Sequence, residues 1–355
     1  MDLPPLPAPS LGVLVPCRNE ARVVERKLED LLAQDWPVAA RPQRVVVVDD
    51  QSEDATAELA RALAPRFAAR GIALDVLPNR ARPGKTGAIR TALDALGASV
   101  DVAVLTDADV VLVPDALAAL ARAFAREPRL GMACGAQRFV AAVAAGGRAP
   151  AGEASTAGLY DRVTAWVRAL ESRHGRLFSV HGQLLAWRTD LGLSPTPGFA
   201  ADDLDLMLQA RLAGARIERV PEARFLEVKT PPGAEREAQA LRRARAYVQF
   251  LRHPRWPELA RHGGAAARLQ AALYRRAPLW APRAWPLLLL VTAACVWVLM
   301  ITLGSPAALG FLGGVLLTLL IGPGRRFADL MDVIRRAERE EARASLGDRW
   351  ETPRA

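Results

Sequence analysis

A chain of 355 residues, 51% of them hydrophobic, can fill the core of one ordinary α/β domain with something smaller beside it, which excludes intrinsic disorder. Its three cysteines, Cys17, Cys134 and Cys295, are widely spaced and form no C-x-x-C pair, so they encode neither a disulfide framework nor a zinc site and suit a reducing compartment. The net charge of +9 is almost all arginine, the lysines being Lys27, Lys85 and Lys229; it fits nucleic acid, anionic lipid or a phosphorylated substrate and does not choose among them.

The opening "MDLPPLPAPS" has no basic region and no apolar secretory region, so residues 1–283 are expected in the cytosol. Next come "LGVLVP" and "RVVVVDD", short β-branched runs, each followed by an amphipathic helical pattern: Val23, Val24, Leu28, Leu31 and Leu32, then Ala57, Leu59, Ala60 and Leu63. "IALDVLPN" and "VAVLTDAD" continue the alternation, with "TGAIRTALDAL" between them. This rhythm predicts an α/β fold with a mostly parallel, doubly wound sheet that binds ligand beyond the carboxyl ends of its strands.

Every one of those strand ends is polar: Arg18-Asn19-Glu20, Asp49-Asp50-Gln51-Ser52, Asn79 to Lys85, and Asp107 with Asp109. Helix capping by Ser52 or Asp54 accounts for part of this, but not for pairs of aspartates at two strand ends. "PCRNEA" lacks the G-x-G-x-x-G of a dinucleotide site, and "PGKTG" lacks the first glycine of a Walker loop, which here is Asn79. Gly84-Lys85-Thr86 then reads as a loop bringing one ammonium to an anion. Asp107 and Asp109, two apart in an extended segment, face one ligand together. Hard carboxylates suit Mg²⁺ or Mn²⁺ that shares its coordination shell with substrate phosphates, which predicts a metal-bound nucleoside diphosphate.

Farther on, "AAVAAGGRAPAGEAST", residues 141–156, reads as a mobile small-residue loop. "DDLDLMLQARLAG" reads as a helix with Leu204, Leu208 and Leu212 on one face and Asp205 on its surface. Asp202 and Asp203 fall at its N-terminus, where the macrodipole favours a carboxylate. The basic helix "QALRRARAYVQF" either clamps a diphosphate or faces an anionic bilayer, and residues 251–283 mix arginine with Trp256, Tyr274 and Trp280 as an interfacial segment does. Residues 284–324 contain no charged side chain, and a break at Gly304-Ser305-Pro306 divides them into about 20 and about 17 residues, near the length of a membrane span. Arg275, Arg276 and Arg283 before them, with Arg325 and Arg326 after, place both flanks in the cytoplasm. The tail has Phe327, Leu330, Met331 and Ile334 at helical spacing, and is expected to lie on the membrane or the catalytic domain.

Five segments in order, "VLVPCRNEARVVERKLEDLLAQ", "VVVVDDQSEDAT", "PGKTGAIRTAL", "LTDADV" and "GFAADDLDLMLQARLAGARIERVPEA", resemble the family-2 glycosyltransferases of GT-A fold. The resemblance covers roughly residues 10–250. It implies an inverting, metal-dependent transferase that moves a sugar from a nucleotide-diphosphate sugar, a UDP-sugar being favoured, to a lipid or lipid-linked saccharide acceptor. Pro16, Arg18, Glu20, Asp49, Asp50, Lys85 and Asp107 would bind the donor, Asp109 would hold Mg²⁺ or Mn²⁺, and Asp203 would be the general base. Asp202, His181, Gly182, Gln239, Arg242 and Arg243 would lie on the acceptor or diphosphate side. The Q-x-x-R-W of processive synthases has arginine in place of tryptophan here, which argues against a polymerase. Alternatives are a sugar-nucleotide nucleotidyltransferase and a catalytically silent membrane scaffold. The expected layout is an N-terminal extension (1–9), a catalytic domain (10–250), an interfacial segment (251–283), two transmembrane helices (284–323) and a cytoplasmic tail (324–355). Its partners would be donor, acceptor and the cytoplasmic (inner) membrane, with no nucleic acid.

Overall fold

The computed structural model describes residues 8–140, 159–228, 233–262, 264–303 and 323–343. They fall into two compact units, divided between Thr230 and Pro231. The first contains β1 (Leu11–Cys17), α1 (Val24–Leu32), β2 (Arg44–Asp49), α2 (Thr56–Ala62), α3 (Ala64–Ala68), β3 (Ala73–Pro78), α4 (Lys85–Leu96), β4 (Val102–Thr106) and β5 (Val111–Leu112). It continues with α5 (Ala116–Arg126), β6 (Leu130–Val140), α6 (Leu159–Arg173), β7 (Leu184–Arg188), α7 (Asp202–Leu212) and β8 (Arg216–Val228).

These strands make one sheet in the order β3-β2-β1-β4-β7-β6-β8-β5. β1, β2, β3 and β4 run parallel, as the alternation of strand and helix predicts. Every residue of β1 is buried, which suits a parallel strand covered on both faces. α4 lies so close to it that a Cβ on Gly12 would meet Leu96 Cδ1 at 2.5 Å. Beyond β4 the expectation of a mostly parallel sheet is corrected. β7 is antiparallel to β4 and to β6, and β5 is antiparallel to β8, so the sheet is mixed. Only the first half of the chain has the repeated strand-helix rhythm that enforces parallel crossovers.

α1 buries Val24, Leu28, Leu31 and Leu32, as its spacing predicts, but also Lys27 and Asp30. α7 departs from its pattern too. Asp205 is fully buried rather than on the surface, and it accepts hydrogen bonds from Thr196 N–H at 2.6 Å and Gln209 Nε2 at 3.0 Å.

The second unit contains α8 (Ala234–Leu251), α9 (Trp256–His262), α10 (Gly264–Leu303) and α11 (Pro323–Arg343). α11 packs on α8, with Met331, Ala337 and Glu341 buried and Arg245 paired to Glu340 and Glu341 at 3.4 and 3.7 Å. Trp256, expected at a bilayer interface, is buried instead, 5.2 Å from the ring of Phe250, and donates from Nε1 to the Phe250 carbonyl. α10 carries part of the expected interfacial segment and the first expected span in one unbroken helix. Among the described residues no helix is long and apolar enough to cross a membrane. The second expected span and the loop at 141–156 lie outside the described residues.

Candidate active site

At the carboxyl end of the parallel strands, the loops after β1, β2 and β3 are laced together by side chains. Asp50 is fully buried, and its carboxylate accepts from Asn79 Nδ2 at 2.6 Å and from Gly84 N–H at 2.9 Å, with Arg18 Nη1 at 3.9 Å. It therefore ties three loops. Its neighbour Asp49 accepts from Ser52 N–H through Oδ2, while its buried Oδ1 has no hydrogen-bond partner. Of the two, Asp49 has the unused acceptor. Ser52 and Asp54, expected as helix caps, serve the β1 loop instead, for the N-cap of α2 is Ala55, while Ser52 Oγ accepts from Asn19 N–H and Asp54 accepts from Ala21 N–H. Thr56 Oγ1 accepts from Glu20 N–H at 2.8 Å. Asn19, at φ 54°, sits in the left-handed region that asparagine tolerates. Pro16 is a buried residue of β1.

Lys85 is the first residue of α4, after Gly84, whose φ of 122° favours glycine; it is a helix start rather than a mid-loop residue. Its Nζ lies 2.8 Å from Asp107 Oδ1 and 3.7 Å from Asp202 Oδ2, joining the β3, β4 and α7 ends. Burial opposes the ammonium charge, but Asp107, Asp202 and Asp203 outweigh it and hold Lys85 above the ordinary lysine value. Asp203 accepts from Gly182 N–H at 3.2 Å and from Leu204 N–H at 2.8 Å. Burial first, then the charge of Asp202, pushes its carboxyl up to about 6, against the pull of Lys85 and the two amides. The helix terminus does not hold it at the usual carboxylate value. Asp202 is raised as well, chiefly by burial.

Asp107 and Asp109 lie in a turn after β4, not in extended strand. Alternation survives, since both are partly exposed while Ala108 and Val110 are buried. Beneath the turn is a residue that sequence reasoning missed. Lys27, fully buried, donates from Nζ to Thr106 Oγ1 at 2.9 Å and to the Val110 carbonyl at 3.2 Å, and lies 3.7 Å from Asp30. Its one sequence signal was a place on the apolar face of α1.

Among the described residues no group of three His, Cys, Asp or Glu side chains could by itself hold a metal ion. One or two partly exposed carboxylates are nevertheless the donor set of a Mg²⁺ or Mn²⁺ that takes its other ligands from phosphates and water, and Asp107 and Asp109 fit that role. His181 precedes β7 rather than lying in it, with its ring edge-on to Phe225 at 5.8 Å. Gln239, Arg242 and Arg243 belong to α8 in the second unit, where the two arginines are exposed.

A parallel half-sheet whose strand ends gather carboxylates around one lysine, facing a half-buried acid on a neighbouring helix, has the layout of a site for nucleotide-activated groups. The model of the family described as glycosyltransferase like family 2 matches residues 7–247, and the chain belongs to that family. It is an enzyme, a glycosyltransferase. Among solved structures it is similar to a mannosyltransferase from Pyrobaculum calidifontis in complex with GDP-mannose and Mn²⁺, at 26% identity and TM-score 0.66, covering 96% of this chain and 90% of that one. Among curated proteins it is similar to an N-acetylglucosaminyltransferase of Rhizobium leguminosarum bv. viciae, 33% identical over 135 residues, or 38% of this chain. The chain spans 30% of that relative's length.

Proposed function

We propose that the chain transfers a sugar, with inversion, from a nucleoside-diphosphate sugar to a hydroxyl of a lipid or lipid-linked saccharide at the cytoplasmic face of a membrane. The observation that carries this reading is the placement of Asp203, a carboxylate raised to about 6, one residue from Asp202, which pairs with the donor-side Lys85. Asp49, with its unused Oδ1, and Glu20 would take the nucleoside, while Asp50 holds their loops in register. Lys85 supplies positive charge toward the departing diphosphate. Asp203 accepts the proton of the acceptor hydroxyl as its oxygen attacks the anomeric carbon, and the nucleoside diphosphate leaves with the bonding electron pair. Asp109, with Asp107, would hold Mg²⁺ or Mn²⁺, which when bound neutralises charge on the diphosphate.

The metal and donor readings are supported by the GDP-mannose and Mn²⁺ of the Pyrobaculum neighbour. The membrane reading is supported by the uncharged run 284–324 and by exposed Trp280, Leu287, Leu290 and Trp297 on α10. A thermal-shift panel of GDP, UDP and their sugars, with and without Mn²⁺, tests the donor site. A ligand at 100 times its dissociation constant adds about 2.7 kcal/mol of stability. Stabilisation by one nucleoside diphosphate, dependent on Mn²⁺ and lost in Asp109→Asn, is expected. No stabilisation by any of them would overturn the donor assignment.

A further inference from the structure

The loop from Ser179 to Gly182, which hydrogen-bonds Asp203, is bracketed by two arginines that no step above uses. Arg168 of α6 donates from Nη2 to Ser179 Oγ at 3.3 Å, and its Nε is buried with no hydrogen-bond partner. Arg219 of β8 stands opposite Cys134 of β6 in the parallel register, and Cys134 Sγ accepts from His181 N–H at 3.1 Å. α6 is fastened at the same point of β8, for Ser172 Oγ, one helical turn from Arg168, accepts from Arg219 N–H at 2.8 Å. The Arg168 guanidinium is thus tied to the loop in which Gly182 donates to Asp203, and the Arg219 backbone is fastened to the same helix, α6.

Among the described residues neither arginine has a carboxylate in ion-pair contact. Burial lowers the proton affinity of Arg219, Arg168 adds to the effect, and the Cys134 sulfur alone opposes it. Two neighbouring half-buried cations, with no acid in ion-pair contact among the described residues, repel each other until an anion joins them, and the guanidinium fork matches phosphate oxygens. Two positive charges also suit a phosphate better than a monoanionic carboxylate.

We propose that Arg168 and Arg219 form an oxyanion site that holds a phosphoryl group of the acceptor, so that an acceptor hydroxyl is presented to Asp203. This rests on the transferase reading, with Asp203 as base. The site selects acceptors by charge, and leaves donor binding to Asp49, Lys85 and Asp109.

The test uses the full chain in detergent, saturated with Mn²⁺ and whichever nucleoside diphosphate stabilises it. Decyl phosphate, glycerol 3-phosphate and inorganic phosphate are titrated into wild type, Arg168→Gln and Arg219→Gln, with glycerol as the uncharged control. At least one phosphate probe is expected to bind, and each substitution to weaken it by about tenfold or more with nucleoside diphosphate affinity unchanged. Tighter binding of decyl phosphate assigns a lipid-borne phosphate; tighter binding of glycerol 3-phosphate assigns a soluble one. Absence of binding by every phosphate, or binding by both variants as tight as by wild type, overturns the proposal. If Arg219→Gln does not fold, Arg168→Gln, on a half-exposed helix position, decides alone. Failure of wild type to bind any nucleoside diphosphate would instead refute the donor reading, a separate outcome.

Discussion

Burial and the Asp202 charge together raise Asp203 to about 6, against an ordinary aspartate value of 3.8. Between those values the folded protein binds more protons than the unfolded chain. Stability contributed by the neutral acid is therefore present at low pH and lost as pH rises through about 6. The base becomes competent over the same window, so kcat/KM is expected to rise with an apparent value near 6 that belongs to the Asp202–Asp203 pair. Asp202→Asn removes a negative neighbour and should move this rising limb to lower pH. Asp203→Asn should abolish the limb and lower kcat by about 10² to 10⁴. pH profiles of the three proteins check both statements, and undiminished transfer by Asp203→Asn would remove it from the role of base.

At the scale of elements, the parallel half of the sheet was legible because each β-branched run is followed by an apolar helical stripe, a local pattern. The second half was not, since β7 enters between β4 and β6 through pairings that no local period encodes. The site was legible as polar strand ends, yet the division of labour between Asp49 and Asp50 depends on Asn79 and Gly84, which only folding brings near. Lys27 is hidden for the same reason, as its partners lie 79 and 83 residues away. It clasps α1 to both ends of the Asp107–Asp109 turn, while Asp30 accepts from Leu112 N–H at 2.9 Å on the far side of that turn. Lys27→Met leaves Asp30 buried without its cation, and should cost about 3–5 kcal/mol of stability by urea denaturation. Lys27→Met/Asp30→Asn removes the unbalanced charge and should recover part of the loss. Mn²⁺-dependent nucleotide binding should stay impaired in the double variant, because the turn has lost its clasp. Normal binding there would show that Lys27 serves stability alone.

For the whole molecule, the exposed apolar side chains of α10 call for a cover. In a soluble fold Trp280, Leu287, Leu290 and Trp297, all more than half exposed, would be costly neighbours to leave in water. Residues 284–303 of α10 carry no charge and arginines flank the uncharged run on both sides, although no described helix is long and apolar enough to cross a membrane. An integral hairpin and a surface-bound helix share these features and differ in how they are released. Peripheral attachment through arginine and anionic lipid is screened by salt and broken at alkaline pH, whereas buried apolar side chains are indifferent to both. For membranes containing the full chain, washed with high salt and then with alkaline carbonate, retention through both washes would assign an integral hairpin, with extraction only by detergent. Release by carbonate would assign α10 to the interface instead, its exposed tryptophans and leucines lying among the headgroups.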